Sequence, residues 1–472
     1  MVTSLNIVTP SAAKRLIKRT HSRCPVCLGE IAAEIIERDG RVFMTKTCPT
    51  HGEFEVLIAR DPRFYHLAQG SPANSATGCC GGNGCCGSGN SAVRETTSGD
   101  ERPGGAGNQF EQLSTCIALI EIVDSCNLKC PTCYAASPFG VERNVQCTPF
   151  DAFVERVGGV LSRKGFIDIL QLSGGEPTIH PEFFRLLEWA IDQKDIGYIL
   201  INTNAVRVAV EEEFRERLGE IRRARGKFEL YMQFDGPQEE GQVDLRAADL
   251  REIRRRAIDE AGALGVPTTL AMTVTPTTIK YLGDTLRFGL ERRHVRGITF
   301  QPMFTSGRIP HVESVLPIAR QVPQPISVGD VILSLVEQSE GLLTTDDFTP
   351  LPCGDPNCHT ISYLLRTPAS MGGRPIGMSR LIDLPSLQTF LANRVDYRVE
   401  DLMQCGCESE PLGEIIKQFE IRPDSPFRIF IKPFMDAWTF DQDRIDRCCT
   451  HVIRPDGTLD SFCRHYLERA NA

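Results

Sequence analysis

A chain of 472 residues is longer than one ordinary domain, and a hydrophobic fraction of 41% can fill sizeable cores. The formal net charge of −9 argues against a nucleic-acid-binding protein, which would carry a basic face, and no apolar run reaches the ~18 residues of a membrane span. Nineteen cysteines, most in tight clusters and with no secretory h-region after the first charges, favour metal ligation in a cytoplasmic protein over disulfides; peripheral contact with the inner face of the membrane stays open.

The first expected unit, residues 1–70, has its own metal pattern. Cys24-Pro-Val-Cys27 is followed, after 20 intervening residues, by Cys48-Pro-Thr-His51. Between them lies a strand-like stretch, 31–42, with a turn at Asp39-Gly40. Two knuckles presenting four ligands read as a rubredoxin- or zinc-ribbon-like site for mononuclear iron or zinc, and a Cys3His set favours zinc. Residues 71–112 read as a flexible Gly/Ser/Cys-rich linker. They include Cys79, Cys80, Cys85 and Cys86, and too few apolar residues to order themselves.

Residues 113–345 form the expected central unit. Strand-like runs at 116–124, 167–172, 198–203, 229–234, 268–274 and 298–303 alternate with amphipathic helical runs near 149–163, 181–193, 209–223, 247–264 and 278–293. Such alternation implies right-handed crossovers and a parallel sheet. The predicted fold class is α/β, a partial (β/α)6 barrel of TIM type, with its motifs at the C-terminal strand ends where barrel sites are built. A helix near 328–339 leads to the last unit, 346–472, expected to be a separate cysteine-rich domain.

The first of those motifs is Cys126-Asn-Leu-Lys-Cys130-Pro-Thr-Cys133, directly after the first barrel strand. Three thiolates on one loop can hold three irons of a [4Fe–4S] cluster, and with no fourth cysteine one iron stays open, as in catalytic rather than structural metal sites. Zinc sites usually use two C-x2-C pairs, and a ferredoxin run supplies a fourth cysteine. Ser173-Gly174-Gly175-Glu176-Pro177 follows the second strand, where glycines allow close approach of a ligand and Glu176 offers a carboxylate. Asn202-Thr203-Asn204 ends the third strand and Gln233-Phe234-Asp235-Gly236 the fourth. Both offer polar side chains to a cofactor pocket, or are simply strand-end turns.

In the last unit, Cys353, Cys358, Cys405, Cys407, Cys448, Cys449 and Cys463 suggest auxiliary [4Fe–4S] clusters. Cys353 with Cys358, and Cys448-Cys449 with Cys463, make two expected knots. Seven cysteines are one short of two full clusters, so Cys116 or Cys147 supplies an eighth, or one cluster keeps an open iron.

The triple cysteine resembles the signature of the radical SAM superfamily, and Gly174-Gly175-Glu176 is similar to that superfamily's motif for the amino group of S-adenosylmethionine. Tyr134, after the third cysteine, resembles its adenine contact. The resemblance implies reductive cleavage of S-adenosylmethionine to a 5′-deoxyadenosyl radical that abstracts hydrogen from an unactivated carbon. It also implies an electron donor such as a flavodoxin or ferredoxin. Cys24 to Gly52, Thr115 to Glu121, Gly174 to Pro181, Gln233 to Gly236 and Phe434-Met-Asp-Ala-Trp438 together resemble the subgroup of archaeal tetraether lipid synthase and its bacterial relatives. That resemblance implies carbon–carbon coupling of lipid chains, with methylation of 6-hydroxymethyl-7,8-dihydropterin or another small heterocycle as the alternative. An iron–sulfur electron carrier or metal-binding protein is the reading from another class, and the Gly174–Glu176 motif counts against it.

Overall fold

The computed structural model describes residues 14–67, 109–111, 113, 115–141, 145–308, 325–351, 354–381 and 424–469. Of the expected metal ligands, Cys353, Cys405 and Cys407 lie outside the described residues, as do Cys79, Cys80, Cys85 and Cys86.

Four strands open the chain: β1 (Arg15–Arg23), β2 (Glu30–Arg38), β3 (Arg41–Cys48) and β4 (Gly52–Ala59). They form an antiparallel meander in that order. Asp39 and Gly40 both take positive φ, 52° and 66°, the conformation a two-residue hairpin turn requires. Alternation along the strands turns Ile35, Val42, Met44 and Val56 inward, against Tyr65 of the short helix α1 (Pro62–Leu67).

The central sheet runs β5 (Ile117–Val123), β6 (Ile167–Gly174), β7 (Ile196–Thr203), β8 (Phe228–Gln233), β9 (Thr268–Val274) and β10 (Val295–Pro302), each parallel to the next. Their near-continuous apolar character, as in IALIEIV of β5, suits strands covered on both faces. The crossovers are α2 (Phe150–Lys164), α3 (Phe183–Asp192), α4 (Val206–Val210) with α5 (Glu212–Arg225), α6 (Gln242–Arg246) with α7 (Arg251–Ala263), and α8 (Leu282–Leu290). The single helix expected near 209–223 is two, broken at Glu211, whose φ of −101° and ψ of 107° are extended. The six expected strands are thus present, with ends shifted by at most three residues.

The last third of the chain departs from the expected separate domain. After α9 (Val328–Gln338) come β11 (Thr349–Pro350), β12 (Thr360–Leu365), β13 (Ile376–Gly377), β14 (Pro426–Ile431), α10 (Gln442–Asp446), β15 (Thr450–Ile453), β16 (Leu459–Ser461) and α11 (Phe462–Arg469). β14 pairs parallel with β10, and β15 pairs parallel with β5. The C-terminal segment therefore covers both edges of the six-stranded sheet. An open parallel edge leaves a row of unpaired backbone groups, which is the physical reason for this docking. α11 is tied down by Glu121 of β5, which accepts from Tyr466 Oη at 3.0 Å and is paired with Arg469.

The N-terminal sheet docks on the same segment through Lys46, a buried lysine. Its Nζ donates to Ser22 Oγ at 3.0 Å, Ala437 O at 2.6 Å and Trp438 O at 2.8 Å. Burial lowers the Lys46 pKa from 10.5 to about 8, against the pull of Asp436 and Cys24. Between those two values the unfolded chain binds more protons, so this group makes stability rise with pH across that window. Lys46→Met strands the two carbonyls. It is expected to cost about 1–3 kcal/mol near neutral pH, read as a lower thermal midpoint, and to remove the rise above pH 8.

Candidate active site

The loop after β5 is pinned at both ends by main-chain bonds. Cys126 N donates to Pro138 O at 2.9 Å, and Cys133 exchanges two 2.9 Å bonds with Arg308. Arg308 also donates through Nε to Cys130 O at 2.9 Å and through a terminal nitrogen to Ser137 O at 3.2 Å. Gly307 makes the approach possible: at its φ of +68°, a Cβ would lie 2.3 Å from Cys133 O and Tyr134 O. Gly307 and Arg308 were missed in the sequence because they sit some 170 residues beyond the loop they hold.

Cys126, Cys130 and Cys133 all line one cavity of about 210 Å³ at the C-terminal ends of the barrel strands. Leu128 N lies 3.4 Å and Asn204 Nδ2 3.8 Å from Cys126 Sγ. Burial, with the Glu176 carboxylate beside it, pushes the Cys126 thiol up to about 12; a metal ion reverses that balance, since a ligating thiol is deprotonated.

Gly174, Gly175 and Glu176 line the same cavity. A Cβ on Gly174 would lie 1.9 Å from Val123 O, and one on Gly175 2.1 Å from Ser125 O, so only glycine lets β6 end this close to the cysteine loop. Glu176 is buried. Its Oε1 accepts from Thr178 N at 3.2 Å, Thr178 Oγ1 at 2.6 Å and Thr203 Oγ1 at 2.8 Å, and its Oε2 from Asn204 N at 2.7 Å. Burial raises its pKa, opposed by these bonds. The carboxylate thus locks the end of β6 to the end of β7, with acceptor capacity left on Oε2. Asn204 Nδ2 donates to Asn127 Oδ1 at 2.7 Å, carrying the network into the cysteine loop. Asn202 bonds Gln171 and, at 3.0 Å, Ser173 Oγ.

Asp235 does not take the cofactor-contact place expected of it. Its side chain is 0% exposed, and both oxygens are committed to the protein. Oδ2 accepts from Arg246 Nε at 2.7 Å and from Arg254 at 3.0 Å; Oδ1 accepts from Thr273 N at 3.0 Å and Gln233 Nε2 at 2.7 Å. Burial alone would raise its pKa, but the two guanidiniums hold the carboxyl below the usual carboxylate range. It acts through Arg246, which also bonds Cys130 and lines the cavity. Gln233 does face the cavity. Arg246 and Arg254 were not found in the sequence: each lies on a helix whose charge pattern reads as an ordinary solvated face.

Tyr134 is partly buried among Phe304, Phe462 and Tyr466, with ring centroids at 6.3, 5.4 and 4.8 Å. Phe434 continues this aromatic wall, 5.3 Å from Phe304 and 4.5 Å from Phe462.

The residues present fit a cluster and its cofactor on two grounds. Arg254 is fully buried beside the cavity, yet its Nε and one terminal nitrogen have no hydrogen-bond partner. Buried orphan donors call for an anionic partner. The close approach of Gly174 and Gly175 to the cysteine loop supplies the second, since it gathers Glu176 and the three cysteines around one cavity.

The N-terminal cysteines gather differently. The ligand atoms of Cys24, Cys27, Cys48 and His51 all lie within 4.8 Å of one another. Cys24 Sγ and Cys48 Sγ are 3.6 and 3.4 Å from His51 Nδ1, and Cys27 Sγ is 4.0 Å from Cys48 Sγ. A tetrahedron with ~2.3 Å metal–sulfur bonds separates its ligands by about 3.8 Å. These spacings suit a single ion.

Toward the C-terminus Cys358, Cys448 and Cys463, all partly buried, interact electrostatically with one another, and Cys358 and Cys463 with Arg444. Cys448 also faces Cys449, which packs with Cys116 and Leu351 and bonds His359. Cys116 N donates to Cys449 O at 3.0 Å, whereas Cys147 is exposed beside Val123. Of the two candidates for an eighth ligand, the structure brings only Cys116 to a C-terminal cysteine.

The chain matches the radical SAM superfamily over residues 120–289 and the HMPTM N-terminal zinc ribbon domain over residues 16–60. Residues 120–289 are thus a radical SAM domain, and the chain is an enzyme. Its resident cofactors are accordingly a [4Fe–4S] cluster and S-adenosylmethionine, with a further metal site in the ribbon. A curated relative is the 7,8-dihydro-6-hydroxymethylpterin dimethyltransferase of Methanocaldococcus jannaschii, 25% identical over 519 aligned positions that span 95% of this chain and 93% of the relative. Among solved structures, Streptococcus suis SuiB bound to S-adenosylmethionine is 14% identical, with a TM-score of 0.34 over 49% of this chain and 47% of its own. Methylornithine synthase is 15% identical, with a TM-score of 0.30 over 40% and 53%. The chain spans about half the length of these structures. No helix among the described residues is long and apolar enough to cross a membrane.

Two outcomes test the metal chemistry of these sites. Cys24→Ala is expected to lose one metal ion per chain by elemental analysis, with the iron–sulfur absorbance kept. Arg254→Met removes a buried positive charge near the cluster loop. It is expected to shift the cluster's midpoint about 50–100 mV more negative in a redox titration followed by electron paramagnetic resonance.

Proposed function

We propose that this enzyme is a radical SAM methyltransferase acting on a pterin-type heterocycle. The observation that carries the reading is the aromatic-walled cavity: Tyr134, Phe304, Phe434 and Phe462 border the same space as the three cysteines and the glycine turn. Faces of flat rings stack on such walls. Similarity to a pterin dimethyltransferase along nearly the whole chain supports the same substrate class. This places the heterocycle alternative ahead of lipid-chain coupling.

Each part of the chain has a defined role in this reading. Cys126, Cys130 and Cys133 would hold the iron–sulfur cluster that works with S-adenosylmethionine. When bound, the cluster and S-adenosylmethionine supply reductive cleavage of the sulfonium and abstraction of a hydrogen atom from carbon. Glu176 Oε2 and the backbone of Gly174 and Gly175 receive the methionine ammonium. Asn202, Asn204 and Gln233 contact the rest of the cofactor, and Tyr134 covers its adenine. Arg246, aimed by Asp235, sits against Cys130. Cys24, Cys27, Cys48 and His51 hold zinc. Cys358, Cys448 and Cys463 hold one auxiliary cluster, and Cys449 with Cys116 serves a second. Electrons come from a flavodoxin or ferredoxin.

Lipid coupling is the second reading, favoured by one observation. A smaller cavity of about 100 Å³ continues past Met303, Phe304 and Phe434 toward Ile35, Met44 and Leu57 of the ribbon, and its lining is largely apolar.

The anaerobically reconstituted and reduced enzyme, given S-adenosylmethionine as both methyl donor and radical source and 6-hydroxymethyl-7,8-dihydropterin, is expected to form S-adenosylhomocysteine, 5′-deoxyadenosine and a pterin heavier by one or two methyl groups in mass spectrometry. Cys130→Ala is expected to form neither. Deoxyadenosine released only with long-chain lipids would decide for coupling instead.

A further inference from the structure

Two pairs of adjacent residues are divided between two places near the C-terminus. Cys358 and Cys448 meet Cys463, while their chain neighbours His359 and Cys449 bond each other, and Cys449 packs with Cys116. Side chains alternate in direction as a chain enters a strand, so each pair can serve two centres. Cys116, His359 and Cys449 each stand one residue ahead of a strand, β5, β12 and β15 respectively. All three are therefore carried by rigid elements. They line one cavity of about 60 Å³ together with Lys432 and Thr450. Tyr231, Lys432 and Thr450 also line the larger cavity, so the two spaces are neighbours.

His359 is the member of this group that the cysteine pattern did not supply. It is 8% exposed, its Nε2 lies 3.5 Å from Thr450 Oγ1, and its Nδ1 is sealed in the interior with no partner. A histidine that merely fills a core has its buried nitrogens satisfied. A metal-bound histidine holds one nitrogen in an outer hydrogen bond and gives the other to the metal. Lys432 and Arg444 both act on the ring, and such cationic surroundings suit thiolate-ligated iron. A single ion fits poorly. Among the described residues only the ribbon set gathers its ligand atoms within 4.8 Å, so these three are spread more widely, as an iron–sulfur cluster requires.

We propose that His359 is an iron ligand of the second auxiliary centre, joining Cys116 and Cys449 in a cluster of mixed nitrogen and sulfur ligation. The proposal rests on the reading that Cys116 and Cys449 serve a cluster, and adds a ligand of a different kind. Imidazole is neutral where a thiolate is charged, so exchanging one for the other raises a cluster's reduction potential. The second centre is therefore easier to reduce than one held by cysteines alone.

The test is pulsed electron paramagnetic resonance on the full chain, reconstituted with iron and sulfide, reduced, and grown with histidine carrying the heavy nitrogen isotope. Cys126→Ala, Cys130→Ala and Cys133→Ala are combined in this parent so that only the auxiliary centres are read. The parent is expected to show the hyperfine coupling of a directly bound histidine nitrogen. His359→Ala is expected to abolish that coupling and leave the ribbon metal in place. His359→Cys offers a thiolate instead: it is expected to keep the iron content, lose the coupling and move one cluster's midpoint to more negative potential. A coupling that survives His359→Ala, or a midpoint unmoved by His359→Cys, would overturn the proposal. Cys116→Ala separates the two levels of the argument. If it loses one cluster's iron while the parent shows no histidine coupling, only this inference fails. If it keeps all its iron, the assignment of Cys116 to a cluster fails, and the proposal with it.

Discussion

A sheet of six parallel strands has two open edges, and the rest of this molecule follows from covering them. β14 adds to β10 and β15 adds to β5, so one C-terminal segment satisfies the unpaired backbone groups at both ends of the sheet. That docking fixes everything carried by the same segment. β15 begins directly after Cys448 and Cys449, and α11 delivers Phe462 and Tyr466 to the cysteine loop. The stretch after β14 brings Phe434 to the cavity, and brings Asp436, whose Oδ2 accepts from Thr305 N at 2.8 Å. The site is consequently built from the whole length of the barrel-forming chain rather than from the barrel strands alone.

Buried charge organises the site itself. One carboxylate, Asp235, faces two guanidiniums, so the region beside Cys130 carries excess positive charge, with Arg254 sealed from water and Arg246 at the cavity wall. An isolated buried cation is costly, and it is tolerated where an anion completes the set. In the proposed reading, three thiolates with their iron–sulfur core would meet that need. Glu176 plays the complementary part, since four bonds to Thr178, Thr203 and Asn204 make it a strut between β6 and β7. Two acidic residues of similar appearance in the sequence thus act differently, one lining the cavity and the other wholly within the wall.

The chain holds cysteines in two geometries because the two kinds of centre differ in size. Around a single ion the ligands nearly touch, as in the ribbon, where two tight hairpin ends suffice. A four-iron centre spreads its ligands, and a longer loop anchored by distant residues such as Arg308 is needed to keep them apart and aimed inward. The ribbon is not a free appendage. Lys46 bonds the Ala437 and Trp438 carbonyls, and Phe54 meets the Trp438 ring edge-on at 5.7 Å.

The strand–helix alternation, the ribbon's ligand set, the triple cysteine and the glycine turn after β6 were all legible in the sequence. Each is a short motif, or a pair of motifs that consecutive elements of the chain bring together. Tertiary structure alone decided which edge β14 and β15 would join, and that Cys358 comes beside Cys448 and Cys463 while Cys116 comes beside Cys449. It also decided that Asp235 serves Arg246 rather than the cofactor, and that Gly307 and Arg308 complete a loop far behind them in the chain. These depend on contacts between residues tens to hundreds of positions apart. No local periodicity encodes such contacts; they arise only when a whole sheet closes its edges and buries its charges in pairs.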